Sequence, residues 1–330
     1  MEISNHPLVF CLGEILYDLL SDNPGLKVNE VHSWTSFMGG APANVAFALR
    51  KLNIPVAFIG RVGSDQAGKD LVETLERHQI GIEGVQQDTG APTRKVYVER
   101  SLTGDRNFAG FGKFKTSDFA DTFLDANAIP FSPLLGAKFL VSGTLLLAYP
   151  ESRKSLEAVM DYCVEKAVPI ILDINWRNVF WENEAEGIEL IKSHIHKAFL
   201  VKFSKEEAEL LYETHDIEKV SAKLPHSQIV LITDGDQGCQ YKIGNQKGFV
   251  PAYKIKSIDT TGAGDSFLAG ITYQLIQEGY SENITAERAR YMVEFASAMG
   301  ALTTMGPGAI LPQPSLDSIL DFMKSYSSST

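Results

Sequence analysis

Cysteine is scarce in this chain: Cys11, Cys163 and Cys239 are the only three in 330 residues. They stand far apart, with no metal-ligand spacing and an odd count, so neither a zinc module nor a disulfide scaffold is encoded. Each lies in an apolar or strand-like run, where cysteine serves as a small buried hydrophobe. Positive charge is short as well. Thirty Lys and Arg against 41 Asp and Glu leave a net charge of −11 and a pI near 5.2. That balance excludes the basic surface needed by a nucleic-acid or membrane-surface binder. No stretch approaches the ~18 apolar residues of a membrane span. Met1 to Pro7 lacks the basic start and apolar run of a secretory signal. A cytoplasmic protein is expected, in which the acceptor pattern Asn283-Ile284-Thr285 is chance. Repeats and low-complexity tracts are missing too, apart from a serine-rich end, Ser325 to Ser329, expected to fray.

The chain does have ample apolar content, 44%, enough for a sizeable core. Short β-branched runs at Val9–Ile15, Val56–Val62, Lys138–Ser142, Ile170–Ile174, Ala198–Phe203 and Ile229–Thr233 read as buried strands. From Lys138 onward they recur at roughly the 30-residue length of a βαβ unit. Between them, Leu156, Val159, Met160, Cys163 and Val164 form one helical stripe, and Ala208, Leu211 and Tyr212 another. A parallel sheet covered by helices on both faces follows. Two segments break the alternation. Ser21 to Phe37 is rich in turn residues where a helix is due. Pro92 to Phe111 reads as a hairpin, Arg94–Arg100 and Arg106–Phe108, turning at Thr103-Gly104-Asp105. These pieces can pair into a small sheet, serving as a lid, a dimer interface or both.

Asp259-Thr260-Thr261-Gly262-Ala263-Gly264-Asp265 joins a strand-like run, Tyr253 to Ile258, to a helical one, Ser266 to Gln277. Glycines before a helix let several N–H groups converge, and the helix start adds roughly half a positive charge. Such a hollow binds phosphate. Asp265 at its mouth repels a phosphate, yet suits a base that takes the proton from an attacking hydroxyl. A plain helix cap is the structural alternative. Gly39-Gly40-Ala41-Pro42-Ala43-Asn44 opens the first long helix, where paired glycines and an amide suit close approach to sugar hydroxyls. Gly63 to Asp70 nearly spells a P-loop, but Asp70 stands where a magnesium-binding hydroxyl is required, so the turn is read as structural.

The two glycine motifs, in this order and at this separation, resemble the signatures of the ribokinase-like (PfkB) sugar kinase family. Gly13-Glu14-x-x-x-Asp18 and Asp173-x-Asn175-x-Arg177, followed by Trp181, look most like fructokinases. The resemblance implies an α/β fold, a ribokinase-like three-layer α/β/α domain over 1–330 with a mainly parallel central sheet. A small inserted β-sheet lid comes from segments about 15–37 and 90–113. It implies ATP-dependent phosphorylation of the fructose 6-hydroxyl with Mg²⁺, and a homodimer through the lids. Asp265 is then the base, with Gly262, Ala263 and Gly264 as the anion hole. Asp18, Gly39, Gly40, Asn44 and Arg177 would hold substrate, with Asp173 orienting Arg177. Lys202, Ser204, Thr233, Gly235, Gly238 and Gly264 would face the nucleotide. Ser204 stands where the family's Asn-x-x-Glu motif has Asn, and Glu207 retains the charge that serves hydrated Mg²⁺. Asp259, Thr261 and the Gly306–Ala309 loop resemble the edges of a K⁺ site. Two alternatives stay open. Kinases of 2-keto-3-deoxygluconate share Asp-x-Asn-x-Arg, though no cation is evident near Asp18 for an acidic sugar. A silent sugar-binding regulator is the other, although silent relatives commonly lose Asp265 or an anion-hole glycine, and both are kept here.

Overall fold

The computed structural model describes residues 7–102 and 106–327. The first six residues, the expected turn Thr103-Gly104-Asp105 and residues 328–330 lie outside the described residues. The chain order is β1 (Val9–Leu12), β2 (Leu16–Ser21), β3 (Trp34–Gly39), α1 (Ala41–Lys51), β4 (Val56–Gly63), α2 (Gln66–Arg77) and β5 (Gly81–Asp88). Then follow β6 (Lys95–Arg100), β7 (Arg106–Gly110), β8 (Phe139–Gly143), α3 (Pro150–Glu165), β9 (Ile170–Asp173), α4 (Glu184–Ile195) and β10 (Leu200–Ser204). The last part holds α5 (Lys205–Tyr212), α6 (Ile217–Ala222), β11 (Ile229–Asp234), β12 (Gly238–Ile243), β13 (Gln246–Pro251), α7 (Ala263–Glu278), α8 (Ala286–Thr303) and α9 (Leu316–Ser327).

Nine strands form one sheet in the order β13-β12-β11-β10-β9-β8-β1-β4-β5. Pairing is parallel except for the β11-β12-β13 meander. Strand residues alternate between two cores, as a period of two demands. Val9 and Cys11 pack with α1, α7 and α8, whereas Phe10 and Leu12 pack with α3 and α4. Three layers result. The chain runs outward from β1 to β5 and returns to β8 on the other side of β1, so the strand order reverses at the β1–β8 boundary. In open α/β sheets the crevice beyond the carboxyl ends at such a reversal is where ligands sit.

The two interrupting segments do form a separate four-stranded sheet, β3-β2-β6-β7. Strand β2 pairs antiparallel to β3 and parallel to β6, with Asp18 opposite Phe37 on one side and Val96 on the other. All three cysteines are buried and free. The near-P-loop is structural: Asp65 caps α2 by accepting the Gly68 N–H at 2.9 Å and the Thr93 hydroxyl at 2.6 Å.

Four local expectations change. Tyr253–Ile258 is irregular rather than a strand, and its Tyr253 ring packs on Phe322 and Tyr326 of α9. The serine-rich end is helical as far as Ser327, held by that aromatic cluster. Val164 turns outward, 54% exposed, so the α3 stripe stops at Cys163. The polar segment Gly81–Asp88 adds an edge strand beside β4. No helix among the described residues is long and apolar enough to cross a membrane.

Candidate active site

A cavity of about 790 Å³ opens beyond the carboxyl ends of β1, β8, β9, β10 and β11, beneath the small sheet. Its floor is the start of α7. The helix begins at Ala263, three residues before the expected Ser266, so Asp265 sits inside the first turn rather than ahead of it. Gly262 is the cap, with φ 76°, and a Cβ there would lie 2.6 Å from the Ala309 Cβ. Only glycine fits both demands. Gly262, Gly264 and Asp265 line the cavity. Ala263 does not, and its N–H is taken by the Thr260 carbonyl at 3.3 Å. Of the three expected anion-hole residues, Gly262 and Gly264 thus face the cavity, while the capping turn takes up the Ala263 amide.

The Asp265 carboxylate accepts a 2.7 Å hydrogen bond from Nδ2 of Asn44. Burial, and then the Asp173 charge, push its pKa up to about 6, against the Asn44 bond, Lys202 and Arg177. Asn44 lies in the first turn of α1, and its buried Oδ1 has no hydrogen-bond partner. A buried acceptor without a partner in a residue of the cavity wall is uncommon and marks a place where a donor would be satisfied. The start of α1 is shaped by Glu14, whose Oε1 accepts the Ala41 N–H at 2.9 Å. A Cβ on Gly40 (φ 105°) would come within 2.3 Å of the Glu14 carbonyl oxygen, so the crossing needs glycine. Burial raises the Glu14 pKa to about 7, with Asp121 and Asp265 adding to the rise. Glu14 also lines the cavity, and among the site residues it is one that the motif reading left without a role. The small sheet supplies Asp18, Val96, Val98 and Phe108 to the same space. Gly39 acts by absence: a Cβ there would meet Asp18 Oδ2 at 2.8 Å, so glycine leaves room for that carboxylate, while Gly39 itself is not in the wall.

Arg177 lines the cavity just past β9, exposed, with Nη1 donating to the Trp176 carbonyl at 3.0 Å. Asn175, also in the wall, sits at φ 41°, a conformation asparagine tolerates better than most side chains. Asp173 does not orient Arg177. Both its oxygens accept from Lys202 Nζ at 2.9 Å, because β9 and β10 place the two residues side by side. Lys202 thus stands in the cavity wall with its ammonium held by Asp173. Ser204 is spent as the α5 cap, its Oγ accepting the Glu207 N–H at 3.2 Å. Serine in place of asparagine suits that cap. Glu207 returns the bond to the Ser204 N–H at 2.7 Å and accepts the Trp176 N–H at 2.7 Å. It staples the ends of β9 and β10 together while still lining the cavity.

Thr233 is in the wall, whereas Gly235 and Gly238 are not. Gly238 is needed for packing, since a Cβ would lie 2.2 Å from the Val250 carbonyl oxygen across the β12–β13 pair. Asp259 and Thr261 meet the 306–309 loop. The Asp259 carboxylate accepts from the Thr261 N–H and hydroxyl at 3.1 and 2.7 Å and from the Gly308 N–H at 2.6 Å. Among the described residues no three His, Cys, Asp or Glu side chains form a set that would hold a metal ion directly.

Comparison with known proteins gives the family and the fold. Residues 6–316 match the profile described as pfkB family carbohydrate kinase. "Probable fructokinase-5" of Arabidopsis thaliana is 34% identical over 329 residues, covering 98% of this chain and 100% of the relative. The structure of a fructokinase with bound ATP from Xylella fastidiosa is similar at a TM-score of 0.86 and 25% identity, over 97% of this chain and 98% of that one. A double-mutant fructokinase from Vibrio cholerae O395, in fructose, ADP and potassium ion bound form, superposes with a TM-score of 0.82 and 28% identity. That match covers 96% of this chain and 98% of the other.

Proposed function

The chain belongs to the pfkB family of carbohydrate kinases, and from that premise we propose that it transfers the γ-phosphoryl group of ATP to the 6-hydroxyl of D-fructose. The observation that carries the reading is the position of Asp265. One carboxylate, raised toward neutrality, shares a cavity floor with the Gly262 and Gly264 amides and touches the amide of Asn44.

Fructose lies between the start of α1 and the small sheet. The orphaned Oδ1 of Asn44 and the Asp18 carboxylate accept from its hydroxyls, while Val96, Val98 and Phe108 close over its apolar edges. This end of the cavity carries Glu14 and Asp18, and among the described residues the basic side chains in the wall are Arg177 and Lys202. A neutral ketose fits those charges. The carboxylate of 2-keto-3-deoxygluconate would face two acids. Asp265 takes the hydroxyl proton as the oxygen attacks the γ-phosphorus, and ADP leaves as fructose 6-phosphate forms. In a loose phosphoryl transfer, positioning and charge stabilisation do most of the work, so a carboxylate of this basicity suffices. The Gly262 and Gly264 N–H groups and the α7 dipole stabilise charge on the moving PO₃ unit, and Arg177 steadies the phosphates. Closure of the small sheet excludes water that would otherwise hydrolyse ATP.

Magnesium would fit as a hydrated ion near Glu207, supplying positive charge to the nucleotide phosphates. Both Glu207 oxygens already accept N–H groups, which suits contact through water and not direct ligation. Potassium would fit beside the Asp259–Gly308 junction, where backbone carbonyls of Thr261 and the 306–309 loop would hold it and its charge would brace the anion hole. Equal rates in sodium, potassium and a bulky organic cation would remove that role. The chain forms a homodimer through the small sheets, whose edge strands otherwise stay unpaired; light scattering at a monomer mass of 36.3 kDa would refute this. A coupled ADP-release assay with fructose, glucose, ribose and 2-keto-3-deoxygluconate tests the substrate. Fructose should have the highest kcat/KM, and a preference for the acid would overturn the assignment.

A further inference from the structure

Lys202 and Asp173 face each other across β9 and β10, 6% and 4% exposed, with Nζ at 2.9 Å from both carboxylate oxygens. An ammonium has three N–H groups, and Asp173 takes two. The remaining side of Nζ lies under the anion hole: a Cβ on Gly264 would be only 3.3 Å from it. Gly264 has no such atom, so the ammonium and the helix start share one small volume at the cavity wall.

On the kinase reading above, we infer that Lys202 is the fixed cation of the anion hole and a catalytic residue, touching the phosphoryl group in flight, with Asp173 as its positioning residue. A lysine on a free four-carbon stem would follow the phosphates of resting nucleotide and bind ground and transition states alike. That lowers KM without raising kcat. Clamped by Asp173, Lys202 cannot travel. It meets charge only when the PO₃ unit passes over Gly264, so its attraction is reserved for the transition state and needs no reorganisation. Asp173 serves a second purpose. A buried lysine without a partner loses its proton, and the Asp173 carboxylate, followed by Glu207, holds this one charged against burial.

The test separates kcat from nucleotide affinity. In Lys202→Met, kcat for fructose phosphorylation should fall about 10²–10³-fold, while the Kd of ADP, which lacks the transferred group, changes less than threefold by calorimetry. Asp173→Asn should lower kcat at least tenfold. The charge-free pair Lys202→Gln with Asp173→Asn, which preserves shape and leaves no buried charge alone, should lose no more than Lys202→Met. Such non-additivity marks two residues acting as one unit. A kcat within threefold of wild type in the charge-free pair, an ADP affinity that falls in step with kcat, or additive losses would overturn the inference. A wild-type enzyme that phosphorylates no sugar would instead overturn the kinase reading, and this inference with it.

Discussion

Asp265→Asn should slow the reaction severely and yet stabilise the fold, in a pH-dependent way. The carboxylate is held at about 6 against an ordinary value of 3.8, chiefly by burial. For an acid with a raised pKa, the folded state binds the proton more tightly than the unfolded one. Its stability is therefore highest below 3.8 and falls as pH climbs through 6. The interval corresponds to about 3 kcal/mol when fully developed. The side chain keeps a face open to the cavity, which screens part of the cost, so about 2 kcal/mol is expected at pH 8. At pH 4 only about half a kcal/mol remains. Asparagine keeps the geometry, because its own carbonyl oxygen can still accept the Asn44 Nδ2 bond now made at 2.7 Å. Glu14 reinforces the effect, since the Asp265 charge is one of the causes of its own raised pKa. Urea denaturation of wild type and variant at pH 4 and pH 8 reads the difference directly, and titrations common to both proteins cancel. Equal stability at pH 8, or the same gain at both pH values, would refute the burial and charge argument for this site.

Other outcomes follow from the same geometry. The kcat/KM for fructose, at saturating MgATP, should fall tenfold per pH unit below about 6, where Asp265 becomes protonated; a profile flat to pH 4.5 contradicts the base assignment. Arg94→Ala should destabilise by about 3–5 kcal/mol in a thermal or urea melt. It strands Asp121, which Arg94 now binds at 2.6 and 2.9 Å inside a ring of Phe111, Phe119, Tyr149 and Phe180. Gly262→Ala should reduce kcat at least tenfold and lower the melting temperature, because a Cβ at φ 76° collides with Ala309; wild-type turnover would show that the cap is not part of the anion hole.

Much of this architecture is legible in the residues. The inner strands β1, β4, β8, β9, β10 and β11 are continuous apolar runs because both faces are covered, and their boundaries match within a few residues. The small sheet is legible from the turn-rich segments that interrupt the alternation. Strand β5 is not, since an edge strand containing Gly81, Gly84, Gln86 and Gln87 carries no apolar signature. Val164 looks like part of a stripe because helical phase at the end of a 16-residue helix is judged only by what it packs against. At the site, glycine and acid motifs point to the cavity, but three arrangements depend on register that no spacing encodes. Lys202 meets Asp173 only because β9 and β10 align as they do. Glu207, in the first turn of α5, accepts the N–H of Trp176 in the loop after β9. Glu14 caps a helix 27 residues away. The signal that could have flagged Glu14 was its place in Gly13-Glu14-x-x-x-Asp18, a short polar interruption directly after a buried strand.

Single-turnover transfer from ATP to fructose, measured in wild type and Asp265→Asn with fructose affinity determined alongside, tests the central claim most directly. Loss of a positioned base should slow phosphoryl transfer roughly 10²–10⁴-fold while the fructose Kd stays within a few-fold. Transfer at near wild-type rate in a correctly folded variant would contradict the account.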